Sequence, residues 1–350
     1  SMSKKVILIA ASLLFTVSAA VAFETAVGGE SLFDLSSPYS LTNSASVSGA
    51  GIYSAGPASI TVNPALTAHE QRVGLNAGYT ALVTAGDSSS FGSAFQVGIM
   101  IPFKWAVLSG YLNGTFPNSP YFGIGNSVNL KAGLSKEITD NLCVGLGLNT
   151  GAAWGTVPDW ALSANLGFVY NMGDVAFLKD FKYGVSILNL GKGFASVSDP
   201  EFLEHYPCFA TVKVGTGAVL YSNDVIKLGA TGDLTLPCFT NVILDAGLQF
   251  VVKDMLTISV SEKFNLVETI NGAKNFIPSV GIFFRFTFDV KDNEYLEKHD
   301  WSESEMTVGA AYKNMYENVH AVSAGVDLLL GLKDETPPVI EIWFDEEDEE

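Results

Sequence analysis

Across residues 72–331, the chain alternates between apolar residues and residues that are small or polar. Within residues 242–252, for example, the even-numbered residues are all apolar, whereas the odd-numbered residues include Asp245, Gly247 and Gln249. A period of two residues is the pattern of β-strands whose two faces meet different surroundings. The sequence therefore predicts an all-β fold.

The alternating region divides into about fourteen segments of roughly ten residues each, and an even number of strands is typical of single-chain bacterial outer-membrane barrels. We predict strands that begin near Arg72, Phe91, Lys104, Phe122, Asn141, Asp159, Asp180, Pro207, Asp224, Cys238, Met255, Phe276, Trp301 and Glu317.

The alternation is the same for a strand between lipid and a lumen as for a strand between a protein core and water. Composition separates the two cases. Only 16% of the residues are charged, against about a quarter in soluble domains, and the less apolar face carries mostly Gly, Ser, Thr, Asn and Ala. After the amino terminus no apolar run reaches about 18 residues, which excludes spanning helices. The sequence therefore predicts a transmembrane antiparallel β-barrel over residues 72–331, surrounded by outer-membrane lipid.

The connections between the predicted strands support this interpretation. Outer-membrane barrels have short periplasmic turns and longer outer loops, so with both termini inside the even-numbered connections should be short. Short even connections are predicted at residues 102–103, 139–141, 222–224 and 253–254. Longer odd connections are predicted at residues 113–121, 191–206 and 266–275. Two even connections, the sixth at residues 172–179 and the twelfth at residues 291–300, are predicted to be long and depart from the rule.

The two ends of the chain do not alternate. Residues 1–22 combine Lys4 and Lys5 with an apolar run and end in the small-residue motif Ala-Val-Ala, which predicts a cleavable signal peptide and export. Residues 332–350 contain two adjacent prolines and finish in an acidic run, which predicts a solvated, acidic periplasmic tail.

Between the signal and the strands, residues 23–71 are rich in Ser and Gly and include the turn Asn63-Pro64-Ala65. Proline disfavours helix at the residue before it, and the asparagine side chain can hydrogen-bond the neighbouring backbone. Ahead of about fourteen alternating strands, this segment resembles the Asn-Pro-Ala segment of the FadL-like outer-membrane transporters. The resemblance is greatest to the FadL-related barrels of spirochaetes, although Leu66 occupies a position where family members commonly have glycine.

The resemblance implies that residues 23–71 form a plug, or hatch, in the lumen of the barrel. It also implies uptake of long-chain fatty acids or similar hydrophobic compounds by passive diffusion past the plug, and release through a lateral opening near a kinked strand. Gly110 lies in a short third strand with weak alternation and is our candidate for that opening. The alternative is a structural or secretion-associated barrel, an anchor or shuttle without transport activity.

An amphipathic ligand requires cations for its head group in addition to an apolar groove. The inward parity carries several basic residues, of which Lys213 and Arg285, followed by Lys131 and Lys227, are the candidate ligand-binding residues for a carboxylate. The alternative is that these cations pair with lumen acids, namely Asp233, Asp245 and Asp327, or with the plug.

Other classes of function have less support. The chain has four histidines without metal-ligand spacing and lacks the Gly-x-Ser-x-Gly motif, so we expect neither an enzyme nor a metal site nor a cofactor. The net charge of −18 argues against nucleic-acid binding. We expect a monomer. Cys208 and Cys238 each follow a proline at a strand end, and the sequence leaves their pairing as a disulfide open.

Overall fold

The protein is described here from a computed structural model. The structure describes residues 31, 35–42, 46–49, 55–85, 89–118, 125–155, 157–194, 206–272, 276–315 and 319–332. The predicted signal peptide and the acidic tail from residue 333 lie outside the described residues, as do residues 23–30 of the predicted plug.

Fourteen antiparallel strands form a single closed barrel in which each strand pairs with its neighbours in sequence and β1 pairs with β14. The predicted fold class and strand number are therefore confirmed. The strands are β1 (Gly74–Thr84), β2 (Ser90–Pro102), β3 (Val107–Phe116), β4 (Asn126–Thr139), β5 (Leu142–Trp154), β6 (Asp159–Val175), β7 (Leu178–Lys192), β8 (Thr211–Ser222), β9 (Ile226–Leu236), β10 (Ile243–Val252), β11 (Leu256–Asn265), β12 (Ser279–Asp289), β13 (Glu303–Asn314) and β14 (Val319–Leu329).

The prediction of a long sixth connection is wrong. β6 continues to Val175 and β7 begins at Leu178, which leaves only Ala176 and Phe177 between them. Gly173 lies inside the hairpin, at shifts of register between β6 and β7. A β-bulge admits an extra residue without ending the strand, so a glycine there need not mark a loop. The twelfth connection is long as predicted and contains the helix α3 (Glu294–Lys298).

We call the end of the barrel that carries the even-numbered connections the even end, and the opposite end the odd end. The two faces of the wall differ as the alternation predicts. Large apolar side chains point outward, and Leu146 and Phe284 are 59% and 55% exposed, whereas the inward-facing Asn113 and Ser259 are fully buried. A band of exposed apolar side chains of this extent on a soluble monomer would be an aggregation liability. None of the helices that the structure describes is both long and apolar enough to span a membrane.

We call the described residues 35–42, 46–49 and 55–73 the inner segment. It contains the helix α1 (Pro38–Leu41) and two 3-10 helices, Pro57–Thr61 and Pro64–Thr67. Each of the three helices has proline in its first turn, where the missing N–H is tolerated and the fixed φ favours helix. Two further helices lie in connections at the odd end: α2 (Leu266–Ile270) between β11 and β12, and a 3-10 helix, Pro237–Phe239, between β9 and β10.

Hydrogen bonds tie the inner segment to strands around the barrel. Five of the six wall residues involved have buried, inward-facing side chains, and the sixth, Phe168, contributes only its main-chain oxygen, so the inner segment lies on the inward side of the wall. The bonds join Leu35 O to Thr80 in β1 (2.6 Å), Ser36 to Tyr111 in β3 (3.1 Å), Thr67 to Ser135 in β4 (2.7 Å), Asn63 to Phe168 O in β6 (3.0 Å), Val62 O to Ser186 in β7 (2.9 Å), and Val47 N to Asp233 in β9 (3.0 Å).

Glycines on the inner face of five consecutive strands make room for this segment. A Cβ atom built on any of them would lie 2.8 Å or less from an atom of the inner segment. Glycine is the residue that permits such close approach of one backbone to another. The five are Gly133, Gly145, Gly167, Gly184 and Gly215, in β4 to β8.

Candidate ligand cavities and the inner segment

A cavity of about 1380 Å³, including the part open to solvent, lies between the inner segment and the wall toward the odd end. We call it the odd-end cavity. Most of its wall residues are polar or charged, because they belong to the inward parity of the strands. These residues include Asn129, Lys131, Asn149, Ser163, Asn165, Asn189, Lys192, Thr211, Lys213, Asp233, Thr235, Asp245, Ser261, Lys263, Ser279 and Lys313.

The odd-end cavity also has an apolar part, which includes Leu35, Leu41 and Phe194. Leu35 and Leu41 of the inner segment belong to a buried cluster with Phe194 and Tyr206, two residues of the connection between β7 and β8. Main-chain hydrogen bonds of 2.7 Å in both directions join Phe194 to Tyr206 and so fix the two ends of this connection against each other. The cavity therefore presents an apolar surface next to a polar, lysine-containing one.

A second cavity of about 660 Å³ lies toward the even end. We call it the even-end cavity, and Arg285, Glu305 and Asp327 are among its lining residues. Three residues of the inner segment line both cavities: Ser40, Thr61 and Val62. The inner segment therefore lies between the two cavities at these three residues.

Asn63 holds the centre of the inner segment. Its side-chain oxygen accepts a hydrogen bond from Ala65 N (3.0 Å) and so caps the second 3-10 helix. Its side-chain nitrogen donates to Val47 O (2.8 Å) and to Phe168 O of β6 (3.0 Å). Asn63 is fully buried, and Gly167 next to it has no side chain that would displace it. One amide therefore joins two parts of the inner segment to the wall.

At the even end, Arg72 ties the end of the inner segment to β13. Its guanidinium contacts Glu70 through Nε (2.8 Å) and Nη2 (3.1 Å), and Nη1 contacts Glu305 at 2.6 Å. Burial lowers the pKa of Arg72, but hydrogen bonds and charges of Glu70 and Glu305 outweigh that effect and raise the pKa above its ordinary value. A bidentate pair of this kind fixes direction as well as distance. We therefore expect the even end of the inner segment to be firmly anchored.

A second anchor at the even end involves His69. Its Nδ1 lies 3.1 Å from Glu137 in β4, and its Nε2 lies 3.0 Å from the Sγ of the buried Cys143 in β5. Burial of the thiol excludes a substrate from it, so this contact serves to attach the segment to the wall. Among the described residues, no group of three or more His, Cys, Asp and Glu is placed to hold a metal ion.

The residues predicted from sequence fall in three places. Lys131 and Lys213 line the odd-end cavity, and Arg285 lines the even-end cavity. Lys227 lines neither cavity and forms an ion pair of 2.6 Å with Asp254 at the even end. Gly110 lies in β3, which pairs with both β2 and β4 along its length, including at Gly110.

Sequence reasoning missed three lysines of the odd-end cavity: Lys192, Lys263 and Lys313. All three are near the odd ends of their strands, where the alternation gives way to loops and parity is difficult to assign. A stricter count of parity from each strand centre would have placed Lys263 on the same face as Ser259 and Ser261, which are both buried.

The cysteines whose pairing the sequence leaves open lie side by side. Cys208 precedes β8 and Cys238 follows β9, and both are free thiols joined by a side-chain hydrogen bond. That hydrogen bond lowers the pKa of Cys238, against the opposing effect of burial. Cys238 also donates to Phe209 O at 2.8 Å. The pair therefore links the end of the β7–β8 connection, next to Pro207 of the odd-end cavity, to the turn between β9 and β10.

Comparison with known proteins gives a likeness of fold. No protein-family model matches the sequence, and no curated protein matches it. Among solved structures, the chain is similar to a deltaS2S3 mutant of the monoaromatic hydrocarbon channel TodX, with 13% identity and a TM-score of 0.52 over 86% of this chain and 100% of that one. It is also similar to the monoaromatic hydrocarbon channel CymD, with 9% identity and a TM-score of 0.51 over 88% of this chain and 100% of that one.

A Pseudomonas aeruginosa FadL homologue is a further structural neighbour, with 11% identity and a TM-score of 0.44 over 83% of this chain and 96% of that one. The two channels with the higher scores share the barrel fold described above, which confirms the resemblance to the FadL-like barrels at the level of fold.

Proposed function

We propose that this chain is an outer-membrane channel of the FadL-like type, exported with a signal peptide, through which long-chain fatty acids or similar hydrophobic compounds diffuse. The observation that carries the proposal is the inner segment between two cavities of a closed barrel. The outward-facing apolar side chains suit contact with lipid. A closed barrel can lie in lipid because strand pairing satisfies the hydrogen bonds of its main chain. The likeness of fold to two monoaromatic hydrocarbon channels gives further support.

The path that we propose begins in the odd-end cavity. An amphipathic compound would place its apolar part against Leu35, Leu41 and Phe194 and its anionic group near Lys131 and Lys213. Passage toward the even end requires displacement of the plug formed by the inner segment. The even end is the periplasmic side in this proposal, because five of the six even connections are short turns.

Uptake measured in reconstituted vesicles tests the proposal. We expect vesicles that contain the protein to take up oleate faster than protein-free vesicles, and we expect Lys131→Gln combined with Lys213→Gln to slow uptake about tenfold. A charge-assisted hydrogen bond contributes about 1.5–3 kcal/mol, which corresponds to a factor of ten or more. Lys136→Gln is the matched control, since Lys136 is exposed on the same strand as Lys131. Equal uptake with and without the protein would contradict transport and favour an anchor or shuttle.

We also propose a lateral opening between β11 and β12. The ladder between them extends only from Leu256 and Phe284 to Ser261 and Ser279, although β11 continues to Asn265 in its pairing with β10. Pro278 immediately precedes β12 and has no N–H to donate to β11.

In this proposal the opening lies at the odd end of the wall, where the ladder between β11 and β12 stops. The odd-end cavity is next to this position, because Ser261, Lys263 and Ser279 all line it. The apolar side chains of Phe276 and Ile277 are exposed beside the gap. A compound in the cavity would meet lipid there without leaving through either end of the barrel.

A disulfide that closes this gap should block release into lipid while binding is retained. In a variant without the native cysteines, we expect Glu262→Cys with Pro278→Cys, once oxidised, to slow oleate transfer several-fold, and reduction to restore the rate. The control is Ile99→Cys with Gly110→Cys, a facing pair between the fully paired strands β2 and β3. If the control blocked transfer and the β11–β12 pair did not, the opening would instead lie where the sequence placed it, at Gly110.

A further inference from the structure

The tripeptide Pro-Cys-Phe occurs twice in the chain, at residues 207–209 and at residues 237–239. The first copy lies just before β8, and the second forms the 3-10 helix between β9 and β10. The strands β8 and β9 are antiparallel neighbours, and their pairing begins at Val212 with Leu236. The register of this hairpin therefore places the two copies beside each other at the odd end.

Hydrogen bonds hold the two cysteines of these tripeptides in place. The Cys238 thiol donates to Phe209 O at 2.8 Å, and its sulfur also forms a side-chain hydrogen bond with Cys208. Thr211 Oγ1 donates to Cys208 O at 3.3 Å, which fixes the turn before β8. A disulfide requires that its two cysteines lie close together with a specific geometry. Because the two sulfurs are already in contact, a bond between them requires only a small movement of either turn.

The two thiols differ in their access to solvent. Cys208 is fully buried, whereas Cys238 is half-buried. The hydrogen bond with Cys208 lowers the pKa of Cys238, against the opposing effect of burial, and the thiolate is the reactive form of cysteine. Cys238 and Phe239 have φ values of 47° and 56°, a region that residues other than glycine rarely adopt and that is frequent at functional sites. Cys238 is therefore the thiol that a reagent from solvent meets first.

We propose that Cys208 and Cys238 are a thiol–disulfide exchange pair, which a small-molecule disulfide such as oxidised glutathione converts into a disulfide bond across the β8–β9 hairpin. The Cys238 thiolate attacks one sulfur of the oxidant, breaks its S–S bond and releases one thiolate. Cys208 then loses its proton and attacks Cys238 Sγ of the mixed disulfide, which releases the second thiolate. The two thiol protons pass through water to the released thiolates, so two cysteine thiols are oxidised and one disulfide is reduced. This inference goes beyond the proposed transport and does not depend on it.

The disulfide would fix part of the wall of the odd-end cavity. Pro207 and Thr211, on either side of Cys208, both line that cavity, and the neighbouring Tyr206 belongs to the same buried cluster as Leu35 of the inner segment. Oxidation would tie these residues to the turn between β9 and β10 and oppose local opening. We therefore expect hydrogen exchange at residues 208–211 to slow several-fold on oxidation, and exchange in the even-end turn at residues 253–255 to stay the same. Equal exchange of residues 208–211 in both redox states would contradict this effect.

Alkylation and mass spectrometry test the pair on the full, reduced chain in detergent at mildly alkaline pH. After incubation with oxidised glutathione and then denaturation, we expect a maleimide to label one of the three cysteines, and a digest to contain Cys208 linked to Cys238. Cys143 is the internal control, because it is buried near the even end and contacts His69, and it should stay reduced. Labelling of all three cysteines, or oxidation of Cys143 as fast as the pair, would overturn the proposal.

Two single variants separate the roles of the two thiols. In Cys208→Ser, we expect the mixed disulfide of Cys238 with glutathione to accumulate, because the second thiol that would release the glutathione is missing. In Cys238→Ser, addition of glutathione to Cys208 should be at least about tenfold slower, because a buried thiol is less accessible and less reactive. Equal rates of addition in the two variants would overturn the order of attack proposed for the pair.

Discussion

Alanine in place of Gly145 is expected to push the inner segment away from the wall and make the barrel leaky. A Cβ atom at this position would lie 2.3 Å from the carbonyl carbon of Pro64 and 2.4 Å from the nitrogen of Ala65. Both are main-chain atoms, so no rotation of a side chain relieves the clash. Overpacking of this kind costs about 1–3 kcal/mol. Single-channel recordings in planar bilayers should show higher or more frequent conductance than in the unsubstituted protein.

The matched control is Gly232→Ala on β9. A Cβ atom at Gly232 would meet only Asp245 O, at 4.0 Å, which is an ordinary contact. This variant introduces the same methyl group and the same change in backbone entropy without a clash. Conductance that rose equally in both variants would show that the inner segment does not limit the passage, and would leave its close contact with Gly145 without a role in gating.

Asn63→Ala is expected to release the centre of the inner segment. The substitution removes the hydrogen bonds to Val47 O, Phe168 O and Ala65 N in a fully buried site. A buried polar group that loses its partner costs about 1–3 kcal/mol, and the second 3-10 helix also loses its cap. We expect faster proteolysis within residues 46–68 and faster hydrogen exchange there, while the strands keep their protection.

Two further variants separate the contributions of this amide. Asn63→Asp keeps the oxygen that caps Ala65 but places a second carboxylate oxygen against Val47 O and Phe168 O in a fully buried site, so its effect should be at least as large as that of Asn63→Ala. Asn141→Ala removes an amide that donates to Asn171 O at 2.7 Å in an exposed turn, and little change is expected there because water replaces the lost bond. Unaltered exchange of the inner segment in Asn63→Ala would mean that the wall contacts of other residues hold it without this amide.

The barrel could be predicted from the sequence because a period of two is a local property. Each strand displays its own two faces, so the number of strands and the outward residues such as Leu146 and Phe284 follow from short windows. Strand ends were less accurate because bulges and loops interrupt the period. The hairpin of β6 and β7 shows this, since the sequence predicts a long connection at residues 172–179 although the strands pair as far as Val175 with Leu178.

The site was predicted only in part, because cavities depend on which strands face one another. The turn at Asn63 carried a local signal, and the structure shows this residue at the centre of the inner segment. Lys131 and Lys213 were recognised by parity, but nothing local indicated that Lys263 lies across the lumen from Lys131. The glycines of the inner face carried no signal of their own, since a glycine in a strand has the same appearance whether or not another backbone rests on it.

The pairing of β1 with β14 sets an order on assembly. The seam runs from Gly74 with Leu329 to Thr84 with Val319, and it joins the first strand to the last. This seam can therefore form only after the whole chain up to and including β14 has reached the site of assembly. The inner segment directly precedes β1 and forms hydrogen bonds to strands from β1 to β9, so we expect it to be enclosed as the seam forms. We therefore expect that, during biogenesis, the inner segment and the barrel wall come together before the barrel closes.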